Sequence, residues 1–372
     1  MSIEFEKLAR AVGSPPDHYG NPLGEQRALA EGRAVVDLSD RAVLTVTGPD
    51  RLTWIDSLTS QAVASLQPGQ SAETLLLDPS GRLEHAVRML DDGTTTWLLL
   101  ESSEAASLHA WLDRMRFMLR VEVADRSADF ATIGTLGTPE LKPAAPNGVA
   151  LAWHDPWKAV VEGGHQYARV ERHPGCDWTY TEILIDRSEL AVAAALPAAG
   201  TLALEALRIA AWRPRRANEA DDRTIPHELD WLRSAVHLSK GCYRGQETVA
   251  KVHNLGHPPR RLVLLHLDGS EGVLPVHDDP VLTVPAVEPE PTGGAHERGT
   301  GVVVGHVTSA ALHYELGPIA LAVVKRSTPA ESTLSVRSQG IAIAAAQEPI
   351  VPMDAGAAAN VPRLPRLGAV RR

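Results

Sequence analysis

Residues 43–47, Val43-Leu44-Thr45-Val46-Thr47, alternate apolar and polar side chains, which is the period of a strand with one face buried. Gly48-Pro49-Asp50 stops that run, and Asp50 stands where an N-cap would start a helix carrying Leu52, Trp54, Ile55 and Leu58 at helical spacing. After a turn at Pro68-Gly69, residues 74–77 and 82–90 read as two strands joined by Asp78-Pro79-Ser80-Gly81, a hairpin with glycine where positive φ is needed. Residues 95–100 predict another strand. Residues 102–118 place Leu108, Trp111, Leu112 and Met115 on one face of a helix.

The same style continues to about residue 200, with strands expected at 131–136, 159–161 and 183–185 and a Pro/Ala/Gly-rich loop at 139–148. The alanine-rich stretch 190–206 is broken by Pro197 and Gly200 and reads as helix, break, helix. The second helix, 202–212, ends at Arg213-Pro214-Arg215-Arg216. From about residue 260 the helical period fades. Short strands at 262–267, 281–284, 301–307 and 319–324, separated by Gly, Pro and Asp, predict a small all-β barrel or sandwich. The pattern as a whole is α+β layers rather than a doubly wound sheet. It divides into an N-terminal lobe (1–120), a second lobe (121–258), a β domain (259–352) and a disordered tail (353–372).

The length, 372 residues, exceeds one ordinary core, and 44% apolar residues suffice for several. A net charge of -10 argues against a general nucleic-acid binder, which needs a basic surface. The two cysteines, Cys176 and Cys242, are far apart. That argues against a disulfide framework and for a reducing compartment, the cytoplasm, and it leaves too few thiols for a cysteine-rich zinc or iron–sulfur site within the chain. The first ten residues are charged rather than apolar, as a secretory signal would not be, and no run long enough to span a membrane occurs.

The segment richest in chemistry is Lys240-Gly241-Cys242-Tyr243-Arg244-Gly245-Gln246-Glu247. Cations two residues to either side of a cysteine favour thiolate, the nucleophilic and metal-binding form, and the glycines let the backbone approach a ligand. The local residues fit equally a small cysteine in a turn before a helix starting near Gln246. Other constellations are weaker. His227-Glu228 lacks the second histidine of a zinc-protease helix. His253 and His257 are four apart but are followed by helix breakers. Gly299-Thr300-Gly301 is only the start of a dinucleotide fingerprint.

Lys-Gly-Cys-Tyr-x-Gly-Gln-Glu, intact at 240–247, resembles the signature of the YgfZ family. Lys251, Gly256 and Arg260-Arg261-Leu262 continue it. Around it, Val36-Asp37-Leu38-Ser39, Val46-Thr47-Gly48-Pro49-Asp50, Leu58-Thr59-Ser60, Leu77 to Arg82, Glu205 to Ile209, Ile225 to Glu228 and Gly305 to Ser309 resemble the glycine-cleavage T-protein superfamily, to which YgfZ belongs. The resemblance covers roughly residues 30–330. It implies a T-protein-like folate-binding fold, with two α+β lobes and a small C-terminal β-barrel around a central tetrahydrofolate site. By that resemblance Arg208 becomes a candidate folate contact, and Trp178, Tyr180, Trp231 and His85 candidate site-lining residues.

Two departures separate the sequence from the transferases of that superfamily. Where they carry an aspartate after the hairpin turn, this chain has His85 or Ala86, with Glu84 on the opposite strand face. Their Tyr-Thr-Gly-Glu segment is not kept in residues 173–182, so its folate contacts are not carried over. The expected function is therefore a folate-binding accessory protein for assembling or repairing iron–sulfur enzymes. Cys242 would be its reactive or transiently ligating thiol, assisted by Lys240 and Arg244, with Gly241, Tyr243, Gly245, Gln246 and Glu247 shaping the loop. Tetrahydrofolate, a transient iron–sulfur cluster and client or assembly proteins are its implied cofactors and partners. The alternative is a folate-dependent aminomethyltransferase.

Overall fold

The computed structural model describes residues 3–284 and 301–359. The chain begins with α1 (Ile3–Glu6), α2 (Pro22–Ala30), β1 (Val35–Asp37), β2 (Ala42–Thr47), α3 (Arg51–Leu58), β3 (Ser71–Leu77), β4 (Leu83–Asp91), β5 (Thr95–Leu100), α4 (Ser102–Met115) and β6 (Glu122–Asp125). It continues with β7 (Phe130–Thr135), β8 (Ala152–His154), β9 (Thr181–Asp186), α5 (Leu190–Ala193), β10 (Ala198–Ala199), α6 (Thr201–Ala210), α7 (Arg216–Glu219) and α8 (Gln246–Leu255). The last strands are β11 (Arg260–Leu267), β12 (Pro280–Thr283), β13 (Val302–His313), β14 (Gly317–Lys325), β15 (Leu334–Ser338) and β16 (Ile341–Pro349).

These strands form two five-stranded sheets, ordered β3-β4-β5-β2-β6 and β10-β1-β7-β9-β8, and a closed barrel ordered β11-β14-β13-β12-β15-β16. This is the expected α+β architecture, and the all-β region is a barrel rather than a sandwich. Strand pairing does not change over at residue 120. β1 leaves the N-terminal third to pair with β7 and β10, while β6 comes back to pair with β2.

The first sheet is apolar on both faces because both are covered. Leu44, Leu76 and Met89 pack with Trp54, Ile55, Leu108 and Leu112 of α3 and α4. The other face supplies Leu75, Leu77 and Trp97 to a core shared with Trp153 and Leu184 of the second sheet, Leu204 and Leu207 of α6, and Leu262 and Leu321 of the barrel. A single core thus joins all three units, and burial of this kind is worth roughly 25 cal/mol per Å² of apolar surface. The barrel encloses its own set, including Val263, Val281, Val307 and Val336.

Several local expectations need correction. Asp50 makes no side-chain cap bond to α3; its carboxylate instead receives Arg120, from the backbone N–H at 3.0 Å and from the guanidinium. α4 stops at Met115, not 118, and Phe117 sits at φ 43°, outside helical space. Residues 159–161 are not a strand. The strand is β8, and its Trp153 indole donates to the Ala72 carbonyl at 2.7 Å, tying the two sheets together. The tail expected to be disordered is ordered through residue 359. Ala358 N donates to the His253 carbonyl at 2.9 Å, and Ala355 is buried. Residues 360–372 and the Gly299-Thr300 pair lie outside the described residues.

Candidate functional site

The first candidate is a cavity of about 100 Å³ where the two sheets meet α6. Its aromatic wall comes from the segment just before β9 and from the turn at Trp231. Trp178 stacks on Tyr180 with ring centroids 5.1 Å apart, and its indole donates to Asp155 Oδ2 at 2.8 Å. Trp231 faces them and donates to Glu73 Oε1 at 3.0 Å. Arg213 links those acceptors, donating to Asp155 at 2.9 Å and Glu73 at 2.6 Å with its guanidinium 5.3 Å from the Trp157 ring centroid. Buried tryptophans need a partner for their N–H, and here both partners are carboxylates held by one arginine.

The remaining wall is ionic. Arg41 pairs with Glu182, whose carboxylate also receives the Tyr180 hydroxyl at 2.9 Å. Arg88 donates to Glu101 at 2.8 Å and lies 3.4 Å from Glu182. Arg215 donates to both oxygens of Glu101, at 3.1 and 2.7 Å. Burial pushes the Glu101 carboxyl up, but Arg41, Arg88 and Arg215 outweigh it and hold it well below the usual carboxylate range.

Arg208, the expected folate contact, does line this cavity, yet its donors are committed to the protein. It pairs with Glu205 and Glu219, and donates to the Arg213 carbonyl at 2.6 Å and to Ser309 Oγ at 2.7 Å. A register shift in β13 between Val307 and Ser309 breaks the strand alternation. Thr308 and Ser309, consecutive residues, therefore both bond Glu219. Arg208 is thereby a clamp between the second lobe and the barrel.

Trp178, Tyr180 and Trp231 line the cavity. His85 is not among its lining residues. Its ring donates from Nδ1 to Glu104 at 3.1 Å, on the strand face turned to α4. The same strand gives Ala86 and Arg88 to the cavity, so no carboxylate from β4 enters it. Residues 173–182, where the transferases' Tyr-Thr-Gly-Glu contacts are not carried over, supply Glu182 to the lining beside Trp178 and Tyr180. The sequence reading missed Arg41, Glu73, Arg88, Glu101, Glu182, Arg213 and Arg215. The visible trace was the arginine run after α6, which was read only as a helix end.

The second candidate is the cysteine loop before α8. Cys242 is exposed and so is Gly241, while their neighbours are anchored. Lys240 is buried, and its ammonium donates to the carbonyls of Asp56 (2.6 Å), Thr59 (2.9 Å) and Gln61 (2.7 Å) and pairs with Asp56 Oδ1 at 3.2 Å. These are carbonyls at the negative end of α3, where a cation is favoured. Burial lowers the Lys240 pKa, and Asp56 opposes that shift. Tyr243 is buried in the shared core. Arg244 pairs with Glu84 and lies over the Trp111 ring, 5.7 Å from its centroid. Gln246 donates to the Lys240 carbonyl at 3.2 Å, closing the loop, and Glu247 stands exposed in the first turn of α8. Both cations flanking the thiol in sequence are therefore committed to the N-terminal lobe, and their observed role is to hold the loop.

Neither candidate is a preformed metal centre. Among the described residues no group of three or more His, Cys, Asp or Glu side chains can hold a metal ion. His253 and His257 part at the end of α8, where His253 bonds the Tyr167 hydroxyl and His257 donates to the Ala355 carbonyl. Cys176 is exposed, away from the cavity lining. No helix of the described residues is long and apolar enough to cross a membrane.

Residues 16–140 match the GCVT N-terminal domain family. The whole chain superposes on the glycine cleavage system aminomethyltransferase T of Bartonella henselae with a TM-score of 0.67 at 18% identity, covering 95% of this chain and 97% of that one. The fold is thus T-protein-like. An aminomethyltransferase of Herpetosiphon aurantiacus is 27% identical, over 68% of this chain and 72% of its own length. The mitochondrial iron-sulfur cluster assembly factor IBA57 homolog of Mycosarcoma maydis is 25% identical, over 77% and 73% respectively. The tRNA-modifying protein YgfZ of Vibrio vulnificus is 26% identical, over 65% and 72%.

Proposed function

We propose that this protein binds a reduced folate in the central cavity and serves the assembly or repair of iron–sulfur enzymes through the Cys242 thiol, in the cytoplasm. The observation that carries this reading is the cysteine loop: an exposed thiol on a segment anchored by the ion-paired Lys240 and Arg244 and the buried Tyr243. A thiol presented to solvent on a clamped loop suits transfer to or from another protein. A cluster passed through it is cargo, held jointly by Cys242 and ligands of the partner.

The cavity's donor set fits a pterin. The Trp178–Tyr180 stack in the lining offers a flat apolar face. The folate's tail lies beyond what the enclosed volume holds, and the partly exposed Arg215 and Arg216 stand at the rim for its carboxylates. When bound, the folate supplies a carrier nitrogen for a one-carbon unit; the residues here bind and orient it.

The second reading, aminomethyl transfer, has the aminomethyltransferase relatives in its favour. Against it stands the hairpin strand, which puts Ala86 rather than a carboxylate into the cavity while Glu84 is spent on Arg244.

The test is complementation of a strain lacking the protein, assaying several iron–sulfur enzymes, together with folinate titration of the purified protein. Wild type is expected to restore those enzymes and Cys242→Ala to fail while still binding folinate. Equal restoration by Cys242→Ala removes the thiol from the function. Methylene-tetrahydrofolate formed from an aminomethylated carrier by either protein supports transfer instead.

A further inference from the structure

Three arginines converge on one carboxylate at the cavity. Glu101 receives Arg88 at 2.8 Å and both arms of Arg215, at 2.7 and 3.1 Å, and Arg41 stands 3.8 Å away. The second carboxylate of the group, Glu182, is shared by Arg41 and Arg88. Glu205 is spent mainly on Arg208. Without Glu101, Arg88 would be left with Glu182, which it shares with Arg41, and Arg215 with Glu205 at 3.9 Å.

The placement of Glu101 is unusual for its position. It precedes α4 at the N-cap, with φ -68° and ψ 141°, where a side chain ordinarily accepts from the first helical N–H groups, yet it makes no such bond. Its carboxylate turns to the arginines instead. The fourteen-residue helix that starts beside it adds the positive end of its dipole to the same spot. Bidentate contact from one arginine with a second donating alongside is how proteins bind a ligand carboxylate or phosphate.

Volume gives an independent reason for Glu101 to move. The cavity encloses about 100 Å³, whereas small-molecule pockets span roughly 300–1,000 Å³. A carboxylate that reaches Arg88 within that volume must displace the one already there. Exposure separates the candidates: the Arg41 and Glu182 side chains are 7% and 0% exposed, whereas Arg215, the partner of Glu101, is 33% exposed. Among the arginines around Glu101, Arg215 is therefore the one that reaches solvent.

We infer that the Glu101 carboxylate is a built-in occupant of an oxyanion subsite, and that the ligand of this cavity carries a carboxylate or comparable oxyanion that takes its place between Arg88 and Arg215. Naming that ligand as a folate rests on the reading above; the subsite is defined by the arginines alone.

The experiment follows intrinsic tryptophan fluorescence, to which Trp178 and Trp231 of the lining contribute, in wild type and Glu101→Gln during titration with sulfate, with folinate and with a reduced pterin lacking the glutamyl tail. Glu101→Gln is expected to bind sulfate and folinate about tenfold more tightly, equivalent to about 1.4 kcal/mol, with the tail-less pterin unchanged. Adding Arg215→Ala to Glu101→Gln is expected to abolish the gain. A sulfate gain with no folinate binding by any variant keeps the subsite and removes the folate reading. No sulfate gain in folded Glu101→Gln, or a gain that survives Arg215→Ala, overturns the inference. If Glu101→Gln does not fold, Glu101→Asp, which keeps the charge but withdraws it by one methylene, is expected to show a smaller gain in sulfate affinity; none overturns it equally.

Discussion

Gly81, in the hairpin turn of the N-terminal lobe, and Gly245, at the start of α8, are in backbone contact: a Cβ on Gly245 would lie 3.0 Å from the Gly81 Cα and 2.7 Å from the Asp78 carbonyl oxygen. A Cβ on Gly81 would lie 2.8 Å from the Thr248 Cβ and 3.3 Å from the Gly245 carbonyl oxygen. Both residues also have positive φ, 79° and 85°. Two separate constraints therefore require glycine at each position, and together they press the cysteine loop onto the hairpin.

Gly245→Ala is accordingly expected to cost more than about 2 kcal/mol, since the left-handed conformation alone costs roughly 1–2 kcal/mol for a residue with a Cβ and the clash is with backbone. Gly241→Ala is the control. Its Cβ would meet nothing within 4 Å, so it should stay within about 0.5 kcal/mol. Urea titration distinguishes them, and equal losses at the two positions would contradict this account of the interface.

Lys240 separates a structural from an electrostatic role for the motif. If its charge activated the thiol, Lys240→Met would slow alkylation of Cys242. Because the ammonium is spent on three carbonyls of the N-terminal lobe, the expected result is faster alkylation from a loosened loop. Stability should fall by about 3 kcal/mol as buried acceptors lose their donor. Lys240→Arg should not rescue, since a planar guanidinium does not match three acceptors placed for an ammonium. Iodoacetamide kinetics beside denaturant melts read both effects.

What the sequence disclosed and what it hid follow from how local each signal is. The hairpin at 78–81, the apolar face of α4 and the barrel strands are written in neighbouring residues, and each stands close to where its pattern put it. The cavity is not local. Arg41 finds Glu182, Arg213 finds Glu73 and Arg215 finds Glu101, each from a different element. The exchange of β1 and β6 between sheets is likewise invisible to periodicity, since a strand's alternation does not name its partner. For the cysteine loop the residues were evident but their directions were not. Lys240 and Arg244 flank the thiol along the chain, whereas in space they turn to Asp56 and Glu84.

Arg208 is expected to behave as a clamp. Arg208→Met would leave Glu219, fully buried, without its guanidinium partner, a loss of about 3–5 kcal/mol for a broken buried pair. Adding Glu219→Gln should recover part of that loss, because the stranded charge is then gone. Thermal melts of the two single variants and the double variant give the coupling. Additive losses would show that the two side chains do not depend on each other.

Acid sensitivity should be traceable to His227. Its ring is fully buried, with Nε2 donating to the Val249 carbonyl at 3.0 Å. Burial, with smaller contributions from His253 and His165, lowers its pKa from 6.5 to about 3, against the opposing Val249 bond. Between those values the unfolded chain binds a proton that the folded chain does not, so stability rises with pH across that window. The contribution is complete above pH 6.5 and is lost as pH falls toward 3. Asp230 acts in the opposite sense. Burial raises its carboxyl to about 7, against the N–H groups of Tyr167 and Ala168 and the charge of Arg233, so its stabilisation is fullest below the ordinary carboxylate range and fades as pH rises through 7. A His227→Asn variant is therefore expected to be less stable than wild type at pH 7.5 yet to lose less on acidification to pH 4.5. Melting curves at both pH values decide it, and parallel losses for the two proteins would place the acid sensitivity elsewhere.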